Sequence, residues 1–169
     1  RGRRPGGGRT PDGRGGAGAR RGYGDHQRRL FPVGRLDKES EGLILLTSNG
    51  DIVNEILRAE NKHEKEYHVA VNKPVTDEFL RGMARGVRIR DEMTLPCKTG
   101  RLAKYGFRIV LTQGLNRQIR LMSAAFDYRV KQLRRVRIDN LKLGALKPGQ
   151  WRNLTEVELR GLLPQRTEW

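Results

Sequence analysis

The sequence has few of the residues that several classes of protein require. Cys97 is its one cysteine in 169 residues, so no disulfide can form within the chain, and a zinc site built from several cysteines is excluded. No apolar run approaches the roughly 20 residues that span a membrane, and no secretory signal opens the chain. These absences favour a protein of the reducing cytoplasm that has no membrane partner.

Motifs for nucleotide and metal binding are absent as well. No glycine-rich loop is followed by Lys-Ser or Lys-Thr, and no dinucleotide-binding fingerprint occurs. The three histidines, His26, His63 and His68, do not have the spacing of metal ligands. We therefore expect neither a metal nor a nucleotide cofactor.

Acidic residues are scarce relative to basic ones. Lys and Arg number 35 against 19 Asp and Glu, which gives a formal net charge of +16. Self-repulsion of this charge opposes the compact state, so folding does not explain it. A solvated basic surface is one interpretation, and a polyanion partner, above all a nucleic acid, is the interpretation we favour.

The charge is also unevenly distributed. Residues 1–29 contain ten Gly and nine Arg and carry +7, whereas residues 30–169 carry +9. The first segment has too few apolar side chains to offset its ordering entropy, so we predict a disordered tail over 1–29. Such a tail can hold RNA loosely through phosphate contacts and Arg stacking, or it has no function.

Residues 30–169 have the pattern of one folded domain. Strands and helices are mixed without regular βαβ spacing, which favours an α+β fold with a largely antiparallel sheet. Strands are predicted over 42–47, 66–71, 87–89, 93–102, 105–113 and within 128–143. Helices are predicted from 49–51 onward, over 76–85, from Asn116 as a cap to Phe126, and from the capping box at 155–158.

Four segments carry residue types suited to RNA chemistry. Asp37 lies between Arg35 and Lys38 just before a predicted buried strand, where nearby positive charge favours the carboxylate. An aspartate turn between strands is the simpler alternative. Tyr67, in the charged segment 65–69, could stack on a base or could be an ordinary half-buried strand residue.

The other two segments are basic. Arg117 and Arg120 are three residues apart in a predicted first helical turn, where helix N-termini bind anions; solvated surface arginines are the alternative. In the segment 129–137, alternation places four basic residues on one strand face, interrupted by Leu133. That face would follow a phosphate backbone. The four are Arg129, Lys131, Arg135 and Arg137.

Together these segments resemble a known family. Gly-Arg-Leu-Asp at 34–37 followed by Ser-Glu-Gly-Leu at 40–43 resembles the aspartate motif of pseudouridine synthases. Lys65-Glu66-Tyr67 resembles the tyrosine motif, and residues 116–120 resemble the third motif. The similarity is to the branch that modifies ribosomal RNA with an S4-like N-terminal domain, and the segments 63–67, 72–74 and 149–155 support it.

The resemblance implies that a uridine in ribosomal RNA is flipped out and isomerised to pseudouridine without a cofactor. It implies that Asp37 is the catalytic aspartate and that Tyr67 stacks on the base. Arg120 would pair with the aspartate. Leu133 would line the uracil pocket. The expected substrate-binding set is Arg35, Asn116, Arg117, Leu133, Arg135 and Arg137.

Two departures from the family pattern bear on these expectations. Only about 30 residues precede the aspartate motif, so the S4-like domain and the opening strands of the catalytic domain are expected to be missing. Leu121 stands where relatives often have a second arginine. We expect a monomer acting on ribosomal RNA, foremost that of the large subunit, with transfer RNA as another structured target. The alternative is a non-catalytic RNA-binding protein or an inactive synthase fragment.

Overall fold

The computed structural model describes residues 20–21 and 29–166. Its helices are α1 (Val53–Lys62, after a 3-10 turn at Gly50–Ile52), α2 (Asp77–Ala84), α3 (Gln118–Ala124) and α4 (Glu156–Leu162). Its strands are β1 (Arg20–Arg21), β2 (Phe31–Val33), β3 (Ser40–Gly42), β4 (Leu45–Thr47), β5 (Lys65–Val71), β6 (Arg88–Ile89), β7 (Glu92–Met93), β8 (Lys98–Ala103), β9 (Gly106–Leu111), β10 (Val130–Ile138), β11 (Leu141–Lys142) and β12 (Gln150–Trp151).

A six-stranded sheet organises the fold. Its order is β11-β10-β5-β9-β8, with β3 added beside β10. All pairs are antiparallel except β3 with β10. The predicted α+β class with a mostly antiparallel sheet is therefore confirmed. Residues 1–29, predicted as a disordered tail, lie outside the described residues except at 20–21, where β1 pairs with β12, and at 29.

Side-chain alternation along β5 gives the sheet one covered face and one open face. Tyr67, Val69 and Val71 point towards α2 and α3, where Phe79 and Met122 complete an apolar core with them. A second apolar cluster joins α1 and α4 to β2 and β4, and includes Val33, Leu45, Ile56, Ile138 and Leu162. None of the described helices is long and apolar enough to cross a membrane.

The predicted helix starts are confirmed at three places, including Asn49, which caps the 3-10 turn before α1, and wrong at one. Thr76 caps α2, and Thr155 caps α4 in a complete capping box with Glu158. Asn116 does not cap α3, which begins at Gln118. Arg117 holds the cap position in a left-handed conformation (φ 55°) without a side-chain cap. The loop before α3 is instead closed by the Gln118 side chain, whose Oε1 accepts from Leu115 N at 3.2 Å.

The predicted strand over 42–47 is broken in two. Gly42 ends β3, which pairs with β10, whereas Leu45 begins β4, which pairs with β2 in a separate two-stranded sheet. A single apolar run therefore connects the central sheet to the second apolar cluster. The break is what leads the chain away from the sheet immediately after the aspartate motif.

The one-sided basic strand predicted over 129–137 is not formed. Register shifts between Val130 and Gln132 and between Arg135 and Arg137 interrupt the alternation of β10. Between the two shifts Leu133 and Arg135 share a face as predicted, but it is the covered face of the sheet, where both are buried, and Arg134 is exposed on the open face. A strand with two bulges cannot hold its basic residues in one row.

Glu158 is expected to contribute to stability above acid pH. Its carboxylate accepts two hydrogen bonds from Arg152, at 2.7 and 2.6 Å, and these bonds above all lower its pKa to about 2. Because the pKa is lowered in the folded state, the contribution is present above about pH 4.5 and is lost as the pH falls towards 2. We predict that Glu158→Gln reduces the free energy of unfolding at neutral pH by about 2 kcal/mol.

Urea unfolding at pH 7 and at pH 3 measures this effect. The matched control is Glu156→Gln, because Glu156 is 84% exposed and pairs only with Arg160 on the same helix surface. Equal losses in the two variants, or an unchanged acid dependence in Glu158→Gln, would show that the half-buried ion pair between Arg152 and Glu158 does not stabilise the end of the chain.

Candidate active site

Asp37 lies in a turn that leads into β3. Gly34 has a positive φ of 75° just after β2, which redirects the chain. Ser40 N then donates to Asp37 O at 2.9 Å and closes the turn. The Asp37 side chain is half-buried and lines a cavity of about 450 Å³, a size typical of small-molecule sites.

The residues that follow Asp37 fasten this turn to α3 and β10. Glu39 Oε2 accepts from Arg117 Nη1 at 3.1 Å, and Ser40 Oγ accepts from Arg120 Nη2 at 3.2 Å. Glu41 follows Ser40 on β3, and its Oε1 accepts from Arg134 Nη2 at 3.1 Å. Three successive side chains thus contact partners roughly 80 to 90 residues away in the chain.

Gly42 completes the attachment through the backbone. A Cβ at this position would lie 2.2 Å from Arg135 O, and φ is +112°, which L side chains rarely adopt. Leu43 N donates to Arg135 O at 2.9 Å, and Arg135 Nε donates to Leu43 O at 2.8 Å. The close approach of these two segments therefore requires glycine at position 42.

Most of the predicted site residues line this one cavity. The aspartate turn contributes Arg35 and Asp37, β5 contributes Tyr67, and β10 contributes Leu133 and Arg135. The loop before α3 and the first turn of that helix contribute Asn116, Arg117 and Arg120. Segments far apart in the sequence therefore meet around a space that can hold a planar base.

Arg137 does not line the cavity. Its Nη2 lies 3.4 Å from Glu64 Oε2 and its Nε lies 3.5 Å from Glu66 Oε1. The bulge after Arg135 turns it away from the covered face. The predicted substrate-binding role of Arg137 is thus not supported by its position. Arg135, only 3% exposed, holds the backbone of Leu43 at the floor of the cavity.

Arg120 contacts Ser40 and not the predicted aspartate partner. Among the described residues, no ion pair joins Arg120 to Asp37, although both line the cavity. The Nε of Arg120 is buried and has no hydrogen-bond partner in the described part of the chain. The described part of the chain therefore leaves this buried Nε–H donor unused.

Several residues of the site were not singled out by sequence reasoning. Lys65 lies on β5 two residues before Tyr67, on the same face; it is 3% exposed and its Nζ donates to His63 O at 3.3 Å. Period-two alternation from Tyr67 was the signal for it. The sequence places Glu39 and Ser40 beside and within the aspartate motif but does not show their contacts, because the partners of both residues lie in another segment.

The electrostatics of the cavity favour anions. Among the described residues that line it, five are cationic (Arg35, Lys65, Arg117, Arg120 and Arg135) and one, Asp37, is acidic. At its edge, a hydrogen bond from its own backbone N–H and the Arg117 guanidinium hold the pKa of Glu39 below its usual value. Such a setting suits a polyanionic substrate and a carboxylate that reacts as an anion.

Other reactive groups do not compete with Asp37. Burial raises the pKa of the Cys97 thiol to about 11, so it is not a thiolate at neutral pH. Among the described residues no group of three or more His, Cys, Asp or Glu side chains could hold a metal ion. The arrangement can therefore offer one carboxylate, one aromatic ring and several cations to a bound nucleotide.

Comparison with known proteins agrees with this geometry. The family model of RNA pseudouridylate synthase matches residues 16–125, which include Asp37, Tyr67 and Arg120. The chain belongs to the RNA pseudouridylate synthase family. A crystal structure of a pseudouridylate synthase superposes with a TM-score of 0.72 at 32% identity, over 79% of this chain and 60% of that one.

Curated relatives place the chain in the branch of the synthase family that the motifs indicated. It is 57% identical over 135 residues to the dual-specificity RNA pseudouridine synthase RluF of Shigella flexneri, covering 80% of this chain and 47% of the relative. An RNA pseudouridine synthase of Aquifex aeolicus is 36% identical over 160 residues, covering 92% and 63%. The chain spans about half the length of the relatives it matches at 57% identity.

The contact between Gly42 and Arg135 should be indispensable to the synthase site. We predict that Gly42→Ala lowers the free energy of unfolding by about 3 kcal/mol or more, because the new Cβ collides with backbone that cannot move aside. Gly144→Ala is the matched control, since Gly144 also has a positive φ (56°) but would place a Cβ with no atom within 4 Å. It should lose only about 1 kcal/mol.

Denaturant unfolding of both variants measures the difference. A loss in Gly42→Ala no larger than in Gly144→Ala would mean that backbone conformation alone, and not the close approach of β3 to β10, selects glycine.

Proposed function

We propose that the chain isomerises a specific uridine to pseudouridine in ribosomal RNA. The observation that carries this proposal is the meeting of Asp37, Tyr67 and Leu133 around one cavity of about 450 Å³. Asp37 comes from a turn and Tyr67 from a strand, and both lie within the residues that the family model matches. Leu133 comes from a second strand, β10, beyond the matched residues. A carboxylate, an aromatic ring and an apolar wall are what a reaction on a flipped pyrimidine requires.

The depth of the site supports base flipping. Asp37 is half-buried, and Leu133 at the back of the cavity is buried. A nucleotide stacked in a helix cannot bring its ribose to such a carboxylate, so the target must leave its stack. The ring of Tyr67 would then stack on the uracil, and Leu133 would contact its edge.

The reaction conserves all atoms of the nucleotide. The bond from C1′ to N1 breaks, the base turns, and a new bond forms from C1′ to C5. The proton on C5 is then lost and N1 gains one. A carboxylate oxygen of Asp37 begins this sequence either by attacking C1′ or by removing a ribose proton. Tyr67, over the base, is placed to assist removal of the C5 proton.

Basic residues would orient the substrate. Arg120, through its remaining buried donor, would aim Asp37 or hold the substrate. Arg35, Asn116 and Arg117 are exposed at the mouth of the cavity, where they would bind the flanking backbone. Arg117 must exchange Glu39 for a phosphate to do so, and an exposed ion pair of this kind contributes little to stability.

The RNA target is proposed from the relatives. Those 57% identical are named dual-specificity RNA pseudouridine synthases and come from bacteria. Because the motifs resemble those of the branch that modifies ribosomal RNA, we propose the ribosomal RNA of the large subunit as the first substrate, with transfer RNA as a second, in the bacterial cytoplasm.

The decisive variant is Asp37→Asn. We predict that it binds RNA as the wild-type chain does and forms no pseudouridine, because an amide neither attacks C1′ nor accepts a proton effectively. Carbodiimide mapping of ribosomal and transfer RNA measures the product, and filter binding measures affinity. The matched control is Asp91→Asn, an exposed aspartate in the turn between β6 and β7, which should keep full activity.

Two outcomes would overturn this account. Pseudouridine formed by purified Asp37→Asn would remove Asp37 from the reaction. RNA binding by the wild-type chain with no product on either RNA would favour the non-catalytic RNA-binding protein.

A further inference from the structure

We propose that a second RNA-backbone site lies at the end of the sheet opposite the cavity. It consists of Lys73, Lys104, Arg129 and Lys131, with Tyr105 and Tyr128 among them, and we call it the distal basic patch. The cavity contacts β5 at Lys65 and Tyr67, whereas the patch adjoins Val71, the last residue of that strand. Tyr67 and Val71 are about 13 Å apart along an extended strand.

Three separate segments are bound together to form the patch. Val71 N donates to Tyr105 O at 2.9 Å, and Val75 N donates to Lys104 O at 2.8 Å. Asn72 N donates to Arg129 O at 3.1 Å, and Asn72 Oδ1 accepts from Arg129 N at 2.8 Å. The cations therefore stand on a fixed backbone, which reduces the entropy lost when they bind a ligand.

Aromatic rings hold two of the ammonium groups. Lys73 Nζ lies 4.7 Å from the ring centre of Tyr128, and that ring stacks on buried Phe79 and donates its hydroxyl to Pro74 O at 2.7 Å. Lys104 Nζ lies 5.6 Å from the ring centre of Tyr105, which is 47% exposed. Cations alternating with an exposed ring form a surface that single-stranded nucleic acid prefers.

The charge of the patch is not neutralised. Among the described residues, none of its four cations lies within ion-pair distance of a carboxylate. On the open face of the sheet, by contrast, basic side chains are paired with carboxylates. Arg108 and Arg137 both contact Glu66, and Arg134 contacts Glu41. Of the nearby acids, Asp77 is engaged by Arg101, and Asp127 is exposed and makes no ion pair with the patch.

These features favour RNA phosphate as the ligand. Fixed, unneutralised cations bind phosphates by releasing condensed counterions, and the exposed ring of Tyr105 can stack on an unpaired base. The inference deepens the proposed function, on which it rests for the identity of the polyanion: the same RNA would be held at the cavity and, a few nucleotides away, at the patch. It also gives a function to the Asn72-Lys73-Pro74 segment that the reaction does not use.

The test compares two doubly substituted full-length chains. Lys73→Gln with Lys104→Gln removes two charges from the patch, and Lys142→Gln with Lys147→Gln removes two exposed lysines that also lack an ion pair in the described structure. The probe is a ribosomal RNA fragment that contains the target uridine. We expect the patch variant to bind about tenfold more weakly and its salt slope to fall by one to two, with little change in the control.

A variant that restores the two positive charges tests whether charge causes the loss of binding. Lys73→Arg with Lys104→Arg should recover both affinity and slope, and the melting temperature of each variant checks that it is folded. Equal losses in the patch and control variants would overturn the proposal, as would an equal loss of binding to polyglutamate, which would assign the patch to an acidic protein. Binding and pseudouridine formation are separate readouts, so absence of pseudouridine would refute the proposed function and leave the binding result standing.

Discussion

Gly42 lies with its backbone against that of Arg135, and the position of Asp37 depends on this contact. It adds β3 to the sheet as its one parallel strand and sets the turn containing Asp37 over β5 and β10. Glu39 and Ser40 then connect the same turn to Arg117 and Arg120. In the proposed reaction a carboxylate must be held close to a ribose in a fixed orientation, and contacts of this kind would support it.

The basic residues serve two different purposes. Arg134 and Arg137 are paired with glutamates, and such pairs orient segments of the chain more than they attract RNA. Buried Arg135 likewise holds a backbone carbonyl. The cations that remain unneutralised, at the mouth of the cavity and in the distal basic patch, are the ones suited to phosphate. The net charge of +16 therefore overstates the surface available to RNA.

Local patterns predicted much of this structure, and long-range contacts account for what they missed. Period-two alternation identified β5, and the capping box identified the start of α4, because both signals lie within a few residues. The alternation predicted for β10 was wrong because its bulges arise from pairing with β5. The cap predicted at Asn116 was wrong because Arg117 adopts a left-handed backbone and takes the cap position. The motifs located Asp37 and Tyr67. They could not predict the partner of Arg120, because Ser40 is 80 residues away in the sequence.

The most direct test of the account is a crystal structure of the Asp37→Asn variant bound to an RNA that contains the target uridine. The account predicts a uridine outside its helix, with its uracil against the Tyr67 ring and its ribose C1′ or C2′ within about 3.5 Å of the side chain at position 37. A target uridine that stays stacked in the RNA, with nothing in the cavity, would contradict it.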